Sequence, residues 1–436
     1  MKNPFAKKLL AVLILFATTP AWALTYEEAL KHALAHSPEI KELQLQAESA
    51  RWAQIKAYSG YLPKLQLQGR HLFDERFEEL EVPFNGEVFV MPAIQPYSSL
   101  GVYATMNIFD GFQTTQSARA ASLQKDAAQL RLNRMQEQKR AEIRTLFYNA
   151  LGSQILVDVA DQNIQTLQSH LNEVTSRVRS GVSTKYDSLR VEVQLEDART
   201  EKVAAENNVA VARAKLFEAM GLADDGQPLS GTLPENFTQL NPMKLTLKEA
   251  QRTDRAALVA EEERAHDLAK ASYAHWLPKV SLFGNYEWYN NINHSVTEDD
   301  ERFKSAYALG VLFSWNLFDG GAEYAEQRQA ALAQEIASVQ LAKFDQNAPV
   351  ELEEVKRRLS YDITNYKAKL VSIRKAEEAV RLARGGLRAG TRTNTEVLDA
   401  VVDLNRAKAA AVRSQMDAIE ALGKLELALG HTVDQG

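Results

Sequence analysis

Asn107-Ile108-Phe109-Asp110-Gly111 returns as Asn316-Leu317-Phe318-Asp319-Gly320, 209 residues further along the 436-residue chain, and this recurrence decides the fold. At the same offset Arg179-Ser180-Gly181-Val182-Ser183-Thr184 returns as Arg388-Ala389-Gly390-Thr391-Arg392-Thr393. Between the two quotations Ile164, Leu167, Leu171, Val174 and Val178 fall on Ile373, Ala376, Val380, Ala383 and Leu387. A slip of one residue loses that apolar match. A unit of about 200 residues is far longer than solenoid repeats of roughly 20–50 residues. The chain therefore reads as two equivalent halves of one larger object.

Upstream of each Phe-Asp-Gly the hydrophobic period is two. Leu100, Val102, Ala104, Met106 and Ile108 share one face, and Tyr307, Leu309, Val311, Phe313, Trp315 and Leu317 do so in the second half. Partner strands alternate as well: Leu65, Leu67 and Phe73, then Val280, Leu282, Tyr286 and Trp288. Each half thus carries two strands long enough to cross a bilayer when tilted, at about 9–11 residues. A hairpin on a soluble core is the commoner use of alternation. Against it stand aromatics at the strand ends (Tyr61, Phe109, Trp276, Trp315, Phe318; Tyr97, Trp288, Tyr289), as in interfacial girdles. The intervening segments from Glu75 to Glu87 and Asn290 to Lys304 read as long charged loops.

Helices flank the strands. Opening helices run roughly from Tyr26 to Tyr58 and from Leu247 to Ala274, ending before Tyr61-Leu62-Pro63-Lys64 and Trp276-Leu277-Pro278-Lys279. From about Phe112 to Arg179 a very long helix is expected, about 100 Å at 1.5 Å per residue. The return leg, about Ser188 to Met220, is half as long, so opening and return helices together match the long one. Leu195, Ala198, Lys202, Ala205, Val209, Ala212, Leu216 and Ala219 step by three and four, as do Leu404, Ala407, Ala411, Ser414, Ala418, Ala421, Leu425 and Ala428. That is coiled-coil spacing. Pro349 inside the second long helix predicts a kink or short break. The chain divides into a signal at 1–23, a first repeat at 24–222 with its hairpin at 61–110, and a linker at 223–244. A second repeat at 245–430 has its hairpin at 276–319, and 431–436 form a tail.

Lys2, Lys7 and Lys8, the apolar run Leu9 to Ala17 and the small-x-small triplet Ala21-Trp22-Ala23 read as a secretory signal. The run is too short for a spanning helix of ~20 residues. There is no cysteine, which excludes disulfides, a lipidated cysteine, thiol catalysis and thiolate metal sites. A formal charge of −6 argues against nucleic acid as a partner.

No catalytic pattern is present: there is no phosphate-binding glycine loop and no paired-histidine protease motif. His32 and His36 have metal-ligand spacing without a third ligand nearby, and Glu298-Asp299-Asp300-Glu301 lacks the glycine of a calcium loop. Neither is taken as a metal site, and no cofactor is expected. The clusters that hold interest are Gly181-Val182-Ser183-Thr184-Lys185-Tyr186-Asp187 and Gly390-Thr391-Arg392-Thr393-Asn394-Thr395-Glu396-Val397-Leu398-Asp399. Cap chemistry accounts for Gly181, Gly390, Thr184 and Thr393. Arg392 is left over, as are Glu396 and Asp399, one turn apart on a single face. Copies of that face around an axis would make acidic rings.

Leu-Pro-Lys, Phe-Asp-Gly, the paired Gly-turn-Asp motifs and the duplication together resemble the outer-membrane efflux family, over nearly everything from Leu24 to Gly430. The resemblance implies a mainly α fold with a membrane β-barrel part. Three copies would each give four strands to a twelve-stranded outer-membrane barrel, above a periplasmic α-barrel of coiled-coil helices closed at its far end. It implies Tyr186 and Asp187 on one side of the gate link, Arg392 as the basic partner, and Glu396 and Asp399 as acidic constriction. Gly181, Val182, Ser183, Thr184, Gly390 and Thr391 would be the end turns that meet an adaptor. Two departures stand out: Glu396 replaces an aspartate, and Leu387 an aromatic, of the family pattern.

Physics reaches part of this independently, because four strands cannot close a barrel with a lumen and an open edge cannot face lipid. Several chains must contribute. The expected function is passive conduction of drugs or secreted proteins from a periplasmic adaptor and inner-membrane transporter to the exterior, without catalysis. The alternative is a periplasmic coiled-coil adaptor or scaffold without a pore. Neither the cargo nor the pump can be read from the sequence.

Overall fold

A computed structural model describes residues 23–73, 79–92, 98–246, 252–290 and 303–433. Residues 1–22 of the expected signal at 1–23, Tyr97 and the acidic run 298–301 lie outside them. In chain order the elements are α1 (Tyr26–His36), α2 (Pro38–Tyr58), β1 (Lys64–His71), β2 (Glu79–Phe84), β3 (Glu87–Pro92), β4 (Ser98–Phe109), α3 (Gln113–Arg179) and α4 (Lys185–Met220). Then come α5 (Thr253–Ser272), β5 (Lys279–Asn290), β6 (Lys304–Ser314), α6 (Ala322–Ala389) and α7 (Asn394–Leu429). No helix among the described residues is long and apolar enough to cross a membrane. The chain forms two compact units.

One unit holds residues 42–133 and 253–347, and its centre is an antiparallel sheet in the order β1-β4-β5-β6. The β4–β5 pair joins the first repeat to the second, with Val102 opposite Tyr286 and Met106 opposite Leu282. With Leu67 opposite Val102 and Leu282 opposite Val311, the register gathers Leu65, Leu67, Val102, Met106, Leu282, Leu309, Val311 and Phe313 on one face. That face is open: Leu65 is 73% exposed, Leu309 75% and Val311 62%. The other face carries Gln66, Gln68, Thr105, Asn107, Ser281, Asn285 and Glu287, and Ser281 donates to Asn107 at 2.9 Å. A soluble protein would bury the apolar face.

Phe-Asp-Gly is a strand-to-helix junction. The carboxylate of Asp110 accepts from the Thr114 amide at 2.9 Å, and Asp319 accepts from Glu323 at 2.6 Å, each capping its long helix. Gly111 has φ +69° and lies so close to Ala274 that a Cβ would stand 2.9 Å from its carbonyl oxygen. Only glycine meets both demands. Its counterpart Gly320 has nothing within 4 Å of a Cβ among the described residues.

The second unit holds residues 23–41, 134–252 and 348–433 of the described chain. Phe147, Leu216, Met220, Leu359, Tyr366, Ile419 and Leu425 form its core, while Leu167, Val174, Val191, Leu195, Leu398 and Val401 continue the coiled-coil packing. Along α7 the alanine seam is buried at Ala411, Ala418, Ala421 and Ala428. The linker is a belt on this core. Phe237 is buried, Tyr366 donates to Glu235 at 2.8 Å, and Gln415 donates to the Leu233 and Pro234 carbonyls.

Four expectations are corrected. The opening helix is broken at Ser37 (ψ 123°), because Pro38 turns its predecessor extended and then starts α2. The segment 79–92 is a second hairpin, β2–β3, turned by Asn85-Gly86, both at positive φ. The last strand stops at Ser314, so Trp315 to Phe318 lie outside β6. Of the kink or short break expected at Pro349, the break is absent: α6 runs through it in its assigned span, since losing one N–H removes one bond from a ladder of many.

Candidate functional site at the two helix turns

The turns α3–α4 and α6–α7 are built alike. After α3, Gly181 (φ +73°) sends its amide to Val178 and Val182 sends its amide to Arg177; after α6, Gly390 (φ +75°) bonds Leu387 and Thr391 bonds Gly386. This is the glycine stop of an α-helix, repeated at the offset of 209 residues. Each following helix starts in a capping box. Thr184 and Asp187 cap each other at 2.9 and 3.2 Å, and Thr393 and Glu396 at 2.8 and 3.3 Å.

Those boxes change the reading of the carboxylates. The Thr184 amide and hydroxyl hold the Asp187 carboxyl below its usual range. Glu396 is likewise held low, by the Thr393 amide first and then by Arg392, whose guanidinium lies 2.5 Å away. The stem of Arg392 folds over Gly386, where a Cβ would stand 2.3 Å from its Cγ. Within one chain, therefore, Arg392 bonds Glu396 and Asp187 bonds Thr184, and the expected Arg392–Asp187 bond is not formed. The T-x-x-D and T-x-x-E spacings carried this signal, and it outweighs charge alone. Asp399 is exposed one turn further on, with no ion pair among the described residues. Tyr186 and Val182 are exposed as well.

The structure brings the two turns together through residues to which the sequence reading gave no role. Arg190 donates to the Thr395 hydroxyl at 2.7 Å, Asn394 donates to the Asp187 carbonyl at 3.4 Å, and Arg177 donates to the Leu387 carbonyl at 3.3 Å. No cluster of three metal-ligating side chains occurs among the described residues.

The sequence pattern of the outer membrane efflux protein family matches residues 29–222 and 246–431. The outer membrane protein TolC of Escherichia coli (strain K12) is 22% identical over 420 residues, covering 92% of this chain and 82% of that protein. TolC of Vibrio cholerae (serotype O1) is 20% identical over 446 residues, covering 98% of this chain and 97% of the relative. Among solved structures, the outer membrane protein VceC from Vibrio cholerae superposes with a TM-score of 0.74 at 16% identity, over 93% of this chain and 96% of its own. Two family matches, one per repeat, agree with the duplication of hairpin, long helix and capped turn: the chain belongs to the outer membrane efflux protein family.

Proposed function

We propose that the chain is a passive outer-membrane conduit, working as a homotrimer that receives drugs or secreted proteins from a periplasmic adaptor and an inner-membrane transporter. The observation that carries this is the sheet, which has one open apolar face and two unpaired edges, β1 and β6. Only closure with further copies satisfies such edges in lipid. The repeat gives the register of that closure. Second strands are offset by 209 residues (Asp110 to Asp319) and first strands by 215 (Pro63 to Pro278). Carrying Met106–Leu282 across puts Trp315 opposite Leu67 of a neighbouring copy, and Asn107–Ser281 becomes Asn316 opposite its Gln66. Pairing there extends β6 through Phe318, and open Gly320 gains the neighbour that Gly111 finds in Ala274.

Cleavage after Ala23 fits the fold, since Leu24 is buried and its nitrogen bonds the Pro228 carbonyl at 2.8 Å. The domain division at 24–222, 223–244 and 245–430 is proposed with it. At the closed end Asp399, with Glu396 partly masked by Arg392, forms the constriction. Arg392, whose guanidinium keeps further N–H donors beyond its bond to Glu396, reaches Asp187 and Tyr186 of the next copy. The exposed Val182 and Thr391, with the half-buried Ser183 between the helices, face the adaptor. Purified protein in planar bilayers tests the reading. Discrete cation-selective channels are expected, and a water-soluble protein without conductance would favour the adaptor-like scaffold.

A further inference from the structure

Besides the seam that packs inside its own repeat, α4 carries a second stripe at coiled-coil spacing. Tyr186, Leu189, Val193, Glu196, Val203 and Asn207 lie on it, and all are exposed, Tyr186 at 68% and Val203 at 64%. Their mates 209 residues on, in α7, are Thr395, Leu398, Val402, Asn405, Val412 and Met416, and each of these is buried or half-buried. The first repeat of the same chain supplies the cover. Asn405 donates to Asn163 on α3, and Met416 fills a notch at Gly152, where a Cβ would collide with its sulfur. On α6 the mates of Gly152 and Asn163 are Tyr361 and Ser372, and both are exposed, Tyr361 at 62%. One chain thus joins its repeats through one such pair of faces and leaves the equivalent pair open. We infer that α6 of a second copy covers the open stripe on α4, with its Tyr361 seated over Asn207. The proposal rests on reading the chain as a homotrimer, and it carries the contact between copies from the sheet into the helices.

A second copy is the occupant that the side chains fit. The contact between repeats runs from the first to the second, so a closed ring of copies must repeat it from the second repeat of one to the first repeat of the next. At the crossing, glycine facing methionine becomes tyrosine facing asparagine. The large and small side chains change sides, and the space between the two helices is filled either way. The Tyr361 ring lies over Val203, one turn from Asn207, while its hydroxyl has the Asn207 amide to bond. Asn163 facing Asn405 becomes Ser372 facing Glu196, again a donor opposite an acceptor. Lys375, one turn beyond Ser372, brings a cation to that carboxylate. Leu189 and Val193, bare in the single chain, then gain the cover that Leu398 and Val402 already have.

Tyr361→Cys and Asn207→Cys, placed together in one chain, test the contact. At the equivalent crossing a Cβ on Gly152 would meet the stem of Met416, so the backbones lie near the separation that a disulfide spans, about 3.5–4.5 Å between Cβ atoms. Oxidised in the outer membrane, the double variant should run as three joined chains on a denaturing gel, and each single variant as one. Asn207→Cys alone should resist a water-soluble maleimide in the intact trimer and react once the trimer is dissociated. Asn207→Met, which crowds Tyr361, should lower the trimer dissociation temperature by several degrees, and adding Tyr361→Ala should restore most of the loss. Unjoined chains, or free labelling of Asn207→Cys, in a preparation that sediments as a trimer would overturn the contact while the conduit reading stands. The stripe would then await a different protein partner. Joined trimers without conductance would support the contact and sink only the conduit reading, and a chain that sediments as a monomer would sink both.

Discussion

Arg190 on α4 donates to the Thr395 hydroxyl on α7 at 2.7 Å, joining the first turns of two helices 205 positions apart. The bond is charge-assisted and half-buried, so about 1 kcal/mol of coupling is expected between its partners. Arg190→Ala and Thr395→Val should each raise bilayer conductance, and the double variant should add little to either. Additive effects in that cycle would mean the two side chains do not act together.

The capping boxes give the turns an acid limit of their own. Asp187 is held low chiefly by the Thr184 amide, so its contribution is complete above the ordinary carboxylate value near 3.9 and disappears as pH falls through the lowered one. Thr184→Ala should cost roughly 0.5–2 kcal/mol in melting experiments at pH 7. Its penalty should shrink without vanishing in strong acid, because the Asp187 carboxylate bonds are lost while the Thr184 hydroxyl still accepts from the Asp187 amide. A penalty constant from pH 7 to pH 2 would exclude the bond between the Thr184 hydroxyl and the Asp187 carboxylate as part of its source.

Selectivity should be dominated by Asp399, since Arg392 already covers Glu396 at 2.5 Å. Asp399→Ala should lower cation selectivity and block by multivalent cations, whereas Arg392→Ala should raise selectivity by uncovering Glu396. Reversal potentials in a salt gradient measure both. An Asp399→Ala channel as selective as wild type would remove these carboxylates from the constriction.

The sheet has an apolar face, proposed to meet lipid, and a more polar face, and adjacent positions separate them. Leu309→Arg or Val311→Arg should cost about 2–4 kcal/mol at the bilayer midplane. Ala308→Arg, opposite Asn285 on the polar face, should leave trimer dissociation temperature nearly unchanged. Equal sensitivity at Ala308 and Leu309 would place these strands in a soluble domain.

Much of the fold was legible because the sequence stated it twice. Phe-Asp-Gly and the Gly-turn motifs fixed both long helices within a residue or two of α3 and α6. What escaped was local chemistry that competes with pattern. Pro38 broke a helix whose apolar period continued past it, and Asn85-Gly86 turned a charged segment into a hairpin. At the turns, formal charge drew attention to Arg392, Asp187 and Glu396, while the short-range geometry of capping claimed all three within the chain. The bonds between turns rest on Arg177, Asn394, Arg190 and Thr395, whose proximity to their partners only the packing of α3, α4, α6 and α7 creates. Trp315 to Phe318 alternate like a strand yet lie outside β6 in one chain, as the proposed pairing with another copy requires.

Closure of the sheet by identical neighbours is therefore the central claim, and the chain's lack of cysteine makes its test free of background. Gln66→Cys and Asn316→Cys, placed together in one chain and oxidised in the outer membrane, should give a covalent species of three chains on a denaturing gel, with each single variant remaining monomeric. A double variant that stays monomeric after oxidation, or ladders beyond three chains, would contradict a closed trimer in this register.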